Sequence, residues 1–305
     1  MMMLEPVAFA GLRGTLTRDA SLARHTTWRV GGNADLLYVP AGRDDLAHFL
    51  RGLPEAMPVT VLGLGSNVLI RDGGIRGAVV LMHDPGAALA VADGMIYADA
   101  GVASPKLARF AALHGCAGAE FLAGIPGTIG GALAMNAGCY GGETWRHVAR
   151  VETLARDGRF AIRTTADYAI GYRSVRNLDG SSLAEPFTGA WFRFPGGDSA
   201  MARSQIKTLL ARRIATQPLA FPNAGSVFRN PPADYAARLI ESCGLKGHAI
   251  GGACVSKRHA NFIVNAERRA RASDIEALVA HVQTTVEAQT GVVLEIEVRI
   301  LGESA

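Results

Sequence analysis

Residues 118–143 read GAEFLAGIPGTIGGALAMNAGCYGGE, and eight of these positions are glycine. Such a stretch makes a poor core helix, because each glycine weakens a helix interior by about 1 kcal/mol. Glycine is favoured where the backbone lies close to a large neighbour, either a ligand or another part of the same protein. Gly127-Thr128 reads as a turn into a helix, with one of the two at the N-cap. The free N–H groups of such a turn suit an anion such as a phosphate.

The composition around this stretch indicates a folded chain that is long enough for two domains. Its 305 residues are 49% hydrophobic and 19% charged, which is enough apolar material for a substantial core. The net charge is +4 and no long run of Lys and Arg occurs, so we expect no nucleic-acid partner. Arginines scattered along the chain suit a small anionic molecule better.

The N-terminus and the cysteines favour a cytoplasmic protein. No basic segment followed by an apolar one occurs at the N-terminus, and no stretch of about 18 apolar residues occurs in the sequence. We therefore expect neither a signal peptide nor insertion into a membrane. The four cysteines have no metal-ligand spacing, so we predict free thiols in a reducing compartment and no bound metal.

The mixture of hairpin and helix patterns predicts an α+β fold. Turn signals such as Asp93-Gly94 mark hairpins. We predict strands at residues 36–39, 59–62, 68–70, 78–82, 89–91, 95–98, 148–154, 159–164, 187–194, 249–255, 261–264 and 292–300. We predict helices at residues 44–50, 104–114, 199–216, 234–243 and 273–289. Ser104 and Ser273 are the expected caps of two of them, and Glu276 is expected to complete a capping box in the last. A break at residues 196–199 marks the expected domain boundary.

A second glycine turn, Gly63-Leu64-Gly65, lies between two predicted strands. It is not the dinucleotide fingerprint of a Rossmann fold, because Val68 stands where the third glycine belongs and a strand follows. A glycine turn between strands can still hold a phosphate through consecutive N–H groups, with Ser66 and Asn67 as further donors. The alternative is a tight structural turn.

Three polar positions outside the glycine segments are candidates for chemistry. Ser226 lies in a turn beside a glycine and near an arginine, where it is either a proton donor at an anion site or an ordinary cap. In the alternating run at residues 294–300, Glu295 and Glu297 share one face of a strand, which is either functional or solvated. Arg173 follows an apparent turn, and it either binds an anion or lies in solvent.

Seven segments of the chain follow one another in a specific order. They are, in sequence, 27–32 (TWRVGG), 64–67 (LGSN), 118–143, 171–173 (GYR), 224–231 (AGSVFRNP), 239–247 (LIESCGLKG) and 294–302 (LEIEVRILG). Each motif alone is modest, but the ordered set closely resembles the UDP-N-acetylenolpyruvoylglucosamine reductase family, the flavoenzymes of peptidoglycan precursor synthesis. The resemblance extends from about Leu22 to Gly302, so it covers nearly the whole chain.

The resemblance implies an FAD-binding module of the vanillyl-alcohol-oxidase type, built from two subdomains within residues 1–198. A smaller α+β substrate-binding domain would follow at residues 199–290, and a strand at residues 291–305 would return to the active site. The short segment between Pro231 and Arg238 matches the compact form of the family. The implied reaction is reduction of UDP-N-acetylglucosamine enolpyruvate to UDP-N-acetylmuramate, with NADPH as hydride donor and FAD bound without a covalent link.

The family's functional positions that match this chain fall into three groups. The resemblance implies Arg173 as the cation for developing negative charge, Ser226 as the proton donor and Glu297 as the active-site carboxylate. For FAD it implies Gly63, Gly65, Ser66, Asn67, Gly124, Ile125, Pro126, Gly127, Gly130, Gly131, Asn136 and Gly138. For the UDP-sugar it implies Tyr172, Arg213, Gln217, Asn230 and Lys246. One position departs from the family, since Val175 stands where a serine is usual, and this affects the expected packing of the Arg173 loop.

Two other interpretations stay open. An inactive flavin- or nucleotide-binding protein would keep the fold without the chemistry, although Arg173, Ser226 and Glu297 are all present. An oxidase of small alcohols on the same module often carries a histidine in the first glycine loop for covalent flavin attachment, and residues 63–67 contain none. The sequence predicts no protein partner.

Overall fold

The computed structural model describes residues 9–84 and 86–305, which form two compact units. The first unit contains residues 9–17, Leu36–Gly63 and Gly77–Ala211. The second unit contains Arg18–Asp35, Leu64–Arg76 and Arg212–Ala305. The chain therefore enters the second unit twice before it completes the first.

The described ranges form eighteen strands and six α-helices. The strands are β1 (Thr15–Ser21), β2 (Asn33–Val39), β3 (Val59–Leu62), β4 (Val68–Ile70), β5 (Ile75–Leu81), β6 (Leu89–Ala92), β7 (Met95–Asp99), β8 (Gly138–Cys139), β9 (Gly142–Glu143), β10 (Val148–Leu154), β11 (Phe160–Arg163), β12 (Tyr168–Gly171), β13 (Ser174–Asn177), β14 (Phe187–Phe192), β15 (Ala249–Ile250), β16 (Ala253–Val255), β17 (Ile263–Val264) and β18 (Arg299–Leu301). The helices are α1 (Arg43–Gly52), α2 (Ser104–Leu113), α3 (Ile129–Ala134), α4 (Ser199–Thr216), α5 (Ala236–Ser242) and α6 (Ala272–Thr290). None of these helices has the length and apolar character that a membrane span requires.

The larger sheet of the first unit has five antiparallel strands in the order β11-β10-β14-β7-β6. Ala98 on β7 pairs with Ala190 on β14, and both are fully buried. These small side chains leave room for α3, which packs against both strands. Leu107, Leu133 and Phe192 are buried in the same core, and burial of each such side chain is worth about 1.5–3 kcal/mol. The glycine stretch is thereby anchored on the most buried part of the unit.

Another sheet has the order β1-β2-β5-β3, with β3 and β5 parallel. Its core includes α1, on which Leu46, Phe49 and Leu50 recur at helical spacing and are buried. Tyr38 on β2 stacks on Phe49 with 4.0 Å between the ring centroids. The Tyr38 hydroxyl donates a hydrogen bond to the carboxylate of Asp45, so the one polar group of the ring has a partner within the core.

The second unit has a separate core formed by α5, α6 and the antiparallel sheet β15-β16-β17. Ile275, Leu278 and Val282 lie along one side of α6 and are buried. Trp28 is 1% exposed, and its indole N–H donates to the carbonyl of Ile263 at 2.7 Å. The segment around Trp28 is therefore an integral part of this core, together with the parallel pair of β4 and β18.

Two predicted helix caps are wrong. α2 begins at Ser104 with Ala103 in the N-cap position, and the Ser104 side chain makes no capping hydrogen bond. At the start of α6, the N–H groups of Ala272 and Ser273 each donate to the carboxylate of Asp72 at 3.0 Å. The Asp274 carboxylate accepts the Arg271 N–H at 2.9 Å, so Asp72 and Asp274 cap this helix in place of the predicted Ser273 and Glu276.

Two predicted strands differ most from the expected bounds. The expected strand at residues 249–255 is the hairpin of β15 and β16, because Gly251 turns the chain with a φ of 54°. The expected strand at residues 292–300 is reduced to β18 at its end. Before β18, Ile296 makes an isolated bridge to Phe228.

The division into units differs from the predicted domain limits of 1–198, 199–290 and 291–305. The change of unit falls inside α4, after Ala211, and residues 291–305 belong to the second unit with the rest of the C-terminal part. The segments at residues 18–35 and 64–76 also belong to the second unit. The assignment of FAD and substrate to particular domains stays a prediction.

Candidate functional site

The glycine stretch forms α3 and the turn that precedes it. Thr128 is the N-cap of α3, as expected, and its side-chain oxygen accepts the N–H of Gly131 at 3.3 Å. The N–H groups of Ile129 and Gly130 donate to backbone carbonyls in the segment before α2, at 2.8 and 2.9 Å. The expectation that free N–H groups of this turn face a phosphate is therefore wrong for these three residues, because protein acceptors satisfy them.

Most of the predicted cofactor glycines lie against the protein itself. An added Cβ would lie 3.1 Å or less from protein atoms at Gly63, Gly65, Gly124, Gly130 and Gly138. At Gly63 the nearest atom is the hydroxyl oxygen of Thr128. Gly131 differs, because it is exposed and the nearest atom to its Cβ would be 3.6 Å away. The other predicted cofactor positions in these two segments differ in burial, with Ile125 buried, Pro126 exposed, and Ser66 and Gly127 half-buried.

Gly65 forms a tight turn in the second unit. Its φ is 61°, and an added Cβ would overlap the carbonyl of His25. Its own carbonyl accepts both the N–H and the hydroxyl of Thr27, at 3.1 and 3.2 Å. The side-chain amide of Asn67 donates to the carbonyl of Glu297 at 3.2 Å. The turn is thus required by internal packing, and it holds Asn67 beside a predicted catalytic residue.

Ser226 and Glu297 lie on two backbone segments that are hydrogen-bonded to each other. The Glu297 N–H donates to the carbonyl of Val227, the residue after Ser226, at 2.8 Å. The Arg229 N–H donates to the carbonyl of Glu295 at 2.8 Å. Val227 is fully buried, whereas Ser226 and Glu297 are half-buried. The structure therefore brings two of the three predicted catalytic residues onto one scaffold within the second unit.

Asn261 holds the segment that follows Ser226. It is 3% exposed, its side-chain oxygen accepts the Phe228 N–H at 2.9 Å, and its amide donates to the Phe228 carbonyl at 2.8 Å. Its backbone carbonyl accepts the Val227 N–H at 2.9 Å. The sequence carries no signal for this role, because a single asparagine in an apolar run does not indicate which backbone it meets.

Glu295 and Glu297 have different surroundings although they alternate along the same run. The Glu295 side chain is 68% exposed and forms an ion pair with Arg229 at 2.6 Å. An exposed pair of this kind contributes little to stability. Glu297 is half-buried, and hydrogen bonds to its N–H and carbonyl hold its backbone on both sides. This difference favours Glu297 as the carboxylate with a functional role.

Arg173 lies at the tip of the β12–β13 hairpin. Gly171 and Ser174 pair with each other, so Tyr172 and Arg173 form a two-residue loop. Arg173 is half-buried with a φ of 55°, an uncommon conformation for arginine, and its guanidinium lies 5.5 Å from the centre of the Tyr172 ring. Val175, where the sequence resemblance implied a serine, is buried in the core of the first unit. Apolar packing therefore suits a valine at this position.

The predicted UDP-sugar contacts in the second unit have protein partners of their own. The Arg213 guanidinium donates to the side chain of Gln217 at 2.9 Å. The Lys246 ammonium donates to the carboxylate of Glu241 at 2.6 Å. The side-chain oxygen of Asn230 accepts the first N–H of α5 at 3.1 Å. These contacts orient the side chains, and their role in binding a substrate stays a prediction.

His259 adds a polar group near Lys246 that the sequence did not single out for binding. Burial lowers the pKa of His259, and the positive charge of Lys246 lowers it further. Its ring packs edge-on against Phe262 with 4.7 Å between centroids. Among the residues with described positions, none hydrogen-bonds its buried Nδ1. A neutral imidazole is thus available here as a hydrogen-bonding group at neutral pH.

Two regions of the chain match protein-family models. Residues 34–162 match the model described as "FAD binding domain", and residues 217–301 match the one described as "UDP-N-acetylenolpyruvoylglucosamine reductase, C-terminal domain". The chain is 56% identical to the UDP-N-acetylenolpyruvoylglucosamine reductase of Nitrosospira multiformis, over 97% of this chain and 91% of the relative. It is 52% identical to that of Thiobacillus denitrificans, over 96% of this chain and 94% of the relative. Its fold is similar to the crystal structure of UDP-N-acetylenolpyruvylglucosamine reductase from Thermus caldophilus, with a TM-score of 0.77 and 31% identity over 95% of this chain and 99% of that one.

Proposed function

The chain belongs to the UDP-N-acetylenolpyruvoylglucosamine reductase family, and from this premise we propose how its residues perform the reduction. It is an FAD-containing oxidoreductase that converts UDP-N-acetylglucosamine enolpyruvate to UDP-N-acetylmuramate in peptidoglycan precursor synthesis, with NADPH as hydride donor. The observation that carries the assignment of its proton-transfer residues is the 2.8 Å hydrogen bond between the Glu297 N–H and the Val227 carbonyl. This bond keeps Glu297 beside the segment that contains Ser226.

Two features of the first unit fit a bound FAD. Gly131 leaves open space on the exposed side of α3, where a side chain would otherwise stand. The Ser104 hydroxyl is fully buried without a hydrogen-bond partner among the described residues, and the Ser104 N–H donates to the Gly127 carbonyl at 2.9 Å. Buried hydroxyls are rarely left unpaired, so this one suits a polar group of a ligand. We propose that the segments at residues 63–67 and 124–131 hold the cofactor. When bound, FAD supplies the hydride that adds to the terminal alkene carbon of the substrate.

Arg173 is the proposed cation for the charge that develops on the substrate. Hydride addition to the terminal carbon leaves negative charge on the enolate and carboxylate oxygens. A guanidinium presents two parallel N–H donors to such oxygens. Donors that are already in place when the charge develops lower the barrier without reorganisation.

Ser226 is the proposed donor of the proton that the α-carbon receives. A serine hydroxyl is a weak acid in water, so it is effective only beside a strong base such as a developing carbanion. The proton comes from the hydroxyl itself or through a relay that the hydroxyl completes. The two hydrogen bonds between the Asn261 side chain and the Phe228 backbone hold the backbone next to Ser226 in one conformation.

Glu297 is the proposed carboxyl group near the enol. An ionised carboxylate beside an enolate would repel it, so we propose that Glu297 is protonated or hydrogen-bonded during that step. The side chains proposed to hold the UDP-sugar are Tyr172, Arg213, Gln217, Asn230 and Lys246.

We also propose a cytoplasmic location for the reaction. Cys116, Cys139, Cys243 and Cys254 are all free thiols. Free thiols suit a reducing compartment.

Absorbance spectroscopy of the purified protein tests this function. We expect a flavin spectrum whose chromophore passes a filter after denaturation, because the cofactor is not covalently bound. NADPH should bleach the flavin bands, and the enolpyruvyl UDP-sugar should then restore them as UDP-N-acetylmuramate forms. Flavin bands that stay bleached after the UDP-sugar is added would contradict the proposed substrate.

A further inference from the structure

Asn136 ends the helix of the glycine stretch. The N–H groups of Asn136 and Ala137 donate to the carbonyls of Leu133 and Ala132 at 3.2 and 2.8 Å, which is the Schellman pattern of a helix C-terminus. The φ of Asn136 is 43°, in the left-handed region where asparagine is tolerated better than most residues. The position of Asn136 at the helix end explains its backbone conformation. It does not explain the contacts of its side chain.

The Asn136 side chain is 4% exposed and makes all of its observed hydrogen bonds to protein groups. Its Oδ1 accepts the backbone N–H of Trp145 at 3.1 Å, which fixes the orientation of the amide because a backbone N–H only donates. Its Nδ2 donates to the Gly171 carbonyl at 3.1 Å and to Glu143 Oε2 at 3.4 Å. Both amide hydrogens therefore have protein acceptors, which leaves the side chain no donor for the cofactor that the sequence assigned to it.

Gly171 stands directly before the loop that contains Arg173. Two-residue hairpin loops favour turns with a positive φ at the first central residue or at both. Here the first loop residue, Tyr172, has no positive φ, whereas the second, Arg173, has one of 55°. A non-glycine residue in this conformation is unfavourable, and it persists where the surrounding contacts hold it. The hydrogen bond from Asn136 to Gly171 is a contact of this kind.

We propose that Asn136 is a positioning residue for Arg173. Its side chain joins the end of α3 to the hairpin that presents the guanidinium, and Glu143 supports the same amide as its second acceptor. This inference rests on the proposed role of Arg173 at the enolpyruvyl group. Asn136 is thus expected to affect the reaction of the reduced protein with the enolpyruvyl UDP-sugar (the substrate half-reaction) and not the binding of FAD.

Two substitutions separate the side chain from the backbone role. Asn136→Gly keeps the left-handed helix end, where glycine is preferred, and removes only the amide. Asn136→Asp keeps the shape and the acceptor for Trp145, but it replaces the N–H donor by a carboxylate that the Gly171 carbonyl and Glu143 repel. Displacement of a reacting group by 1 Å can reduce a rate by about 100-fold.

Stopped-flow absorbance and FAD titration of the apoprotein are the measurements. We expect both variants to retain the wild-type FAD dissociation constant and the wild-type rate of flavin reduction by NADPH. The reaction of the reduced protein with the enolpyruvyl UDP-sugar should slow by about 10- to 100-fold. Combining Asn136→Gly with Arg173→Lys should slow this reaction no further than Arg173→Lys alone, because Asn136 acts through the arginine.

Asn177→Asp is the matched control. Asn177 lies at the other end of the same hairpin, and its amide likewise donates to a backbone carbonyl, that of Ser182, at 3.1 Å. This variant should leave both half-reactions unchanged.

Two results would overturn the proposal. Weaker FAD binding with a normal substrate half-reaction in Asn136→Gly would make Asn136 a cofactor ligand. A double variant that reacts with the UDP-sugar more slowly than Arg173→Lys alone would show that Asn136 does not act through the arginine. Failure of the proposed function would instead show as a missing substrate half-reaction in the wild-type protein, and it would overturn this inference as well.

Discussion

Gly130 and Gly131 are adjacent in α3 but have different surroundings. An added Cβ at Gly130 would lie 3.1 Å from the side chain of Ala100, so this glycine lets the helix approach its own protein. Within residues 9–84 and 86–305, the one neighbour given for an added Cβ at Gly131 is the Thr128 hydroxyl, at 3.6 Å. Gly131 is therefore the position of the pair at which the missing side chain leaves space for a ligand.

Replacing Gly131 with valine should weaken FAD binding without destabilising the apoprotein. Valine fits the open space and has a helix propensity no worse than that of glycine, so the thermal midpoint of the apoprotein should stay at or above that of wild type. The added side chain should raise the FAD dissociation constant by about 10-fold or more, since overpacking at a close contact costs typically 1–3 kcal/mol. Fluorescence titration and circular dichroism measure the two quantities.

Gly130→Val provides the comparison for this prediction. Its side chain would press against Ala100, so it should lower the thermal midpoint of the apoprotein itself. An unchanged FAD affinity in Gly131→Val would place the cofactor away from this side of α3.

At the residue scale, the sequence proposes side chains for the chemistry but does not indicate what holds them. Ser226 and Glu297 followed from ordered motifs. Asn261 meets Phe228 across 33 positions, and Asn136 meets Gly171 across 35. No local pattern encodes contacts over such separations, so the supporting asparagines could be identified only from the fold.

Helix α6 shows how far local patterns predict an element. Its bounds, Ala272–Thr290, lie within one residue of the prediction, and Gly291 follows with a φ of 72°, as expected for a residue that ends a helix. Its N-terminal cap was predicted wrongly. Ser273 and Glu276 have the spacing of a local capping box, but Asp72, 200 positions away, receives the first N–H groups.

Asp72→Asn should destabilise the protein at neutral pH and have little effect in acid. Burial by itself raises the pKa of Asp72, but hydrogen bonds from the N–H groups of Ser273 and Ala272 outweigh it, so the pKa is lowered. A folded-state pKa below the ordinary value means that folding stabilises the ionised form. The contribution is complete above the ordinary aspartate pKa of about 3.9, and it disappears as the pH falls through the folded-state pKa.

The expected loss for this variant is about 1–2 kcal/mol in the free energy of unfolding at pH 7, the usual value of a helix cap. Urea unfolding followed by circular dichroism, at pH 7 and in acid, measures the difference from wild type. A difference that stays constant down to the acid limit would show that Asp72 acts through packing rather than through its charge.

At the scale of the whole molecule, the sequence predicted the α+β fold class but did not indicate which segments fold together into each compact unit. The segment at residues 18–35 was expected in the N-terminal domain, yet it belongs to the second unit. Trp28 in this segment donates to the carbonyl of Ile263, 235 positions away, and β4 pairs in parallel with β18. Periodicity identifies strands and helices, whereas long-range pairing depends on complementary surfaces that only the folded chain brings together.

Ser226 is the residue proposed to supply the proton that completes reduction of the enolpyruvyl group. Stopped-flow absorbance of each half-reaction in wild type, Ser226→Ala and Ser226→Cys tests this proposal most directly. FAD affinity and flavin reduction by NADPH should be retained in Ser226→Ala, because the variant removes a hydroxyl and adds no bulk. Reaction with the enolpyruvyl UDP-sugar should slow by about 10²–10⁴-fold, the usual effect of losing a positioned general acid, and Ser226→Cys should recover part of that rate. Equal slowing of both half-reactions would show that Ser226 only shapes its loop, and no slowing of either would assign the proton to another group, with Glu297 the next candidate.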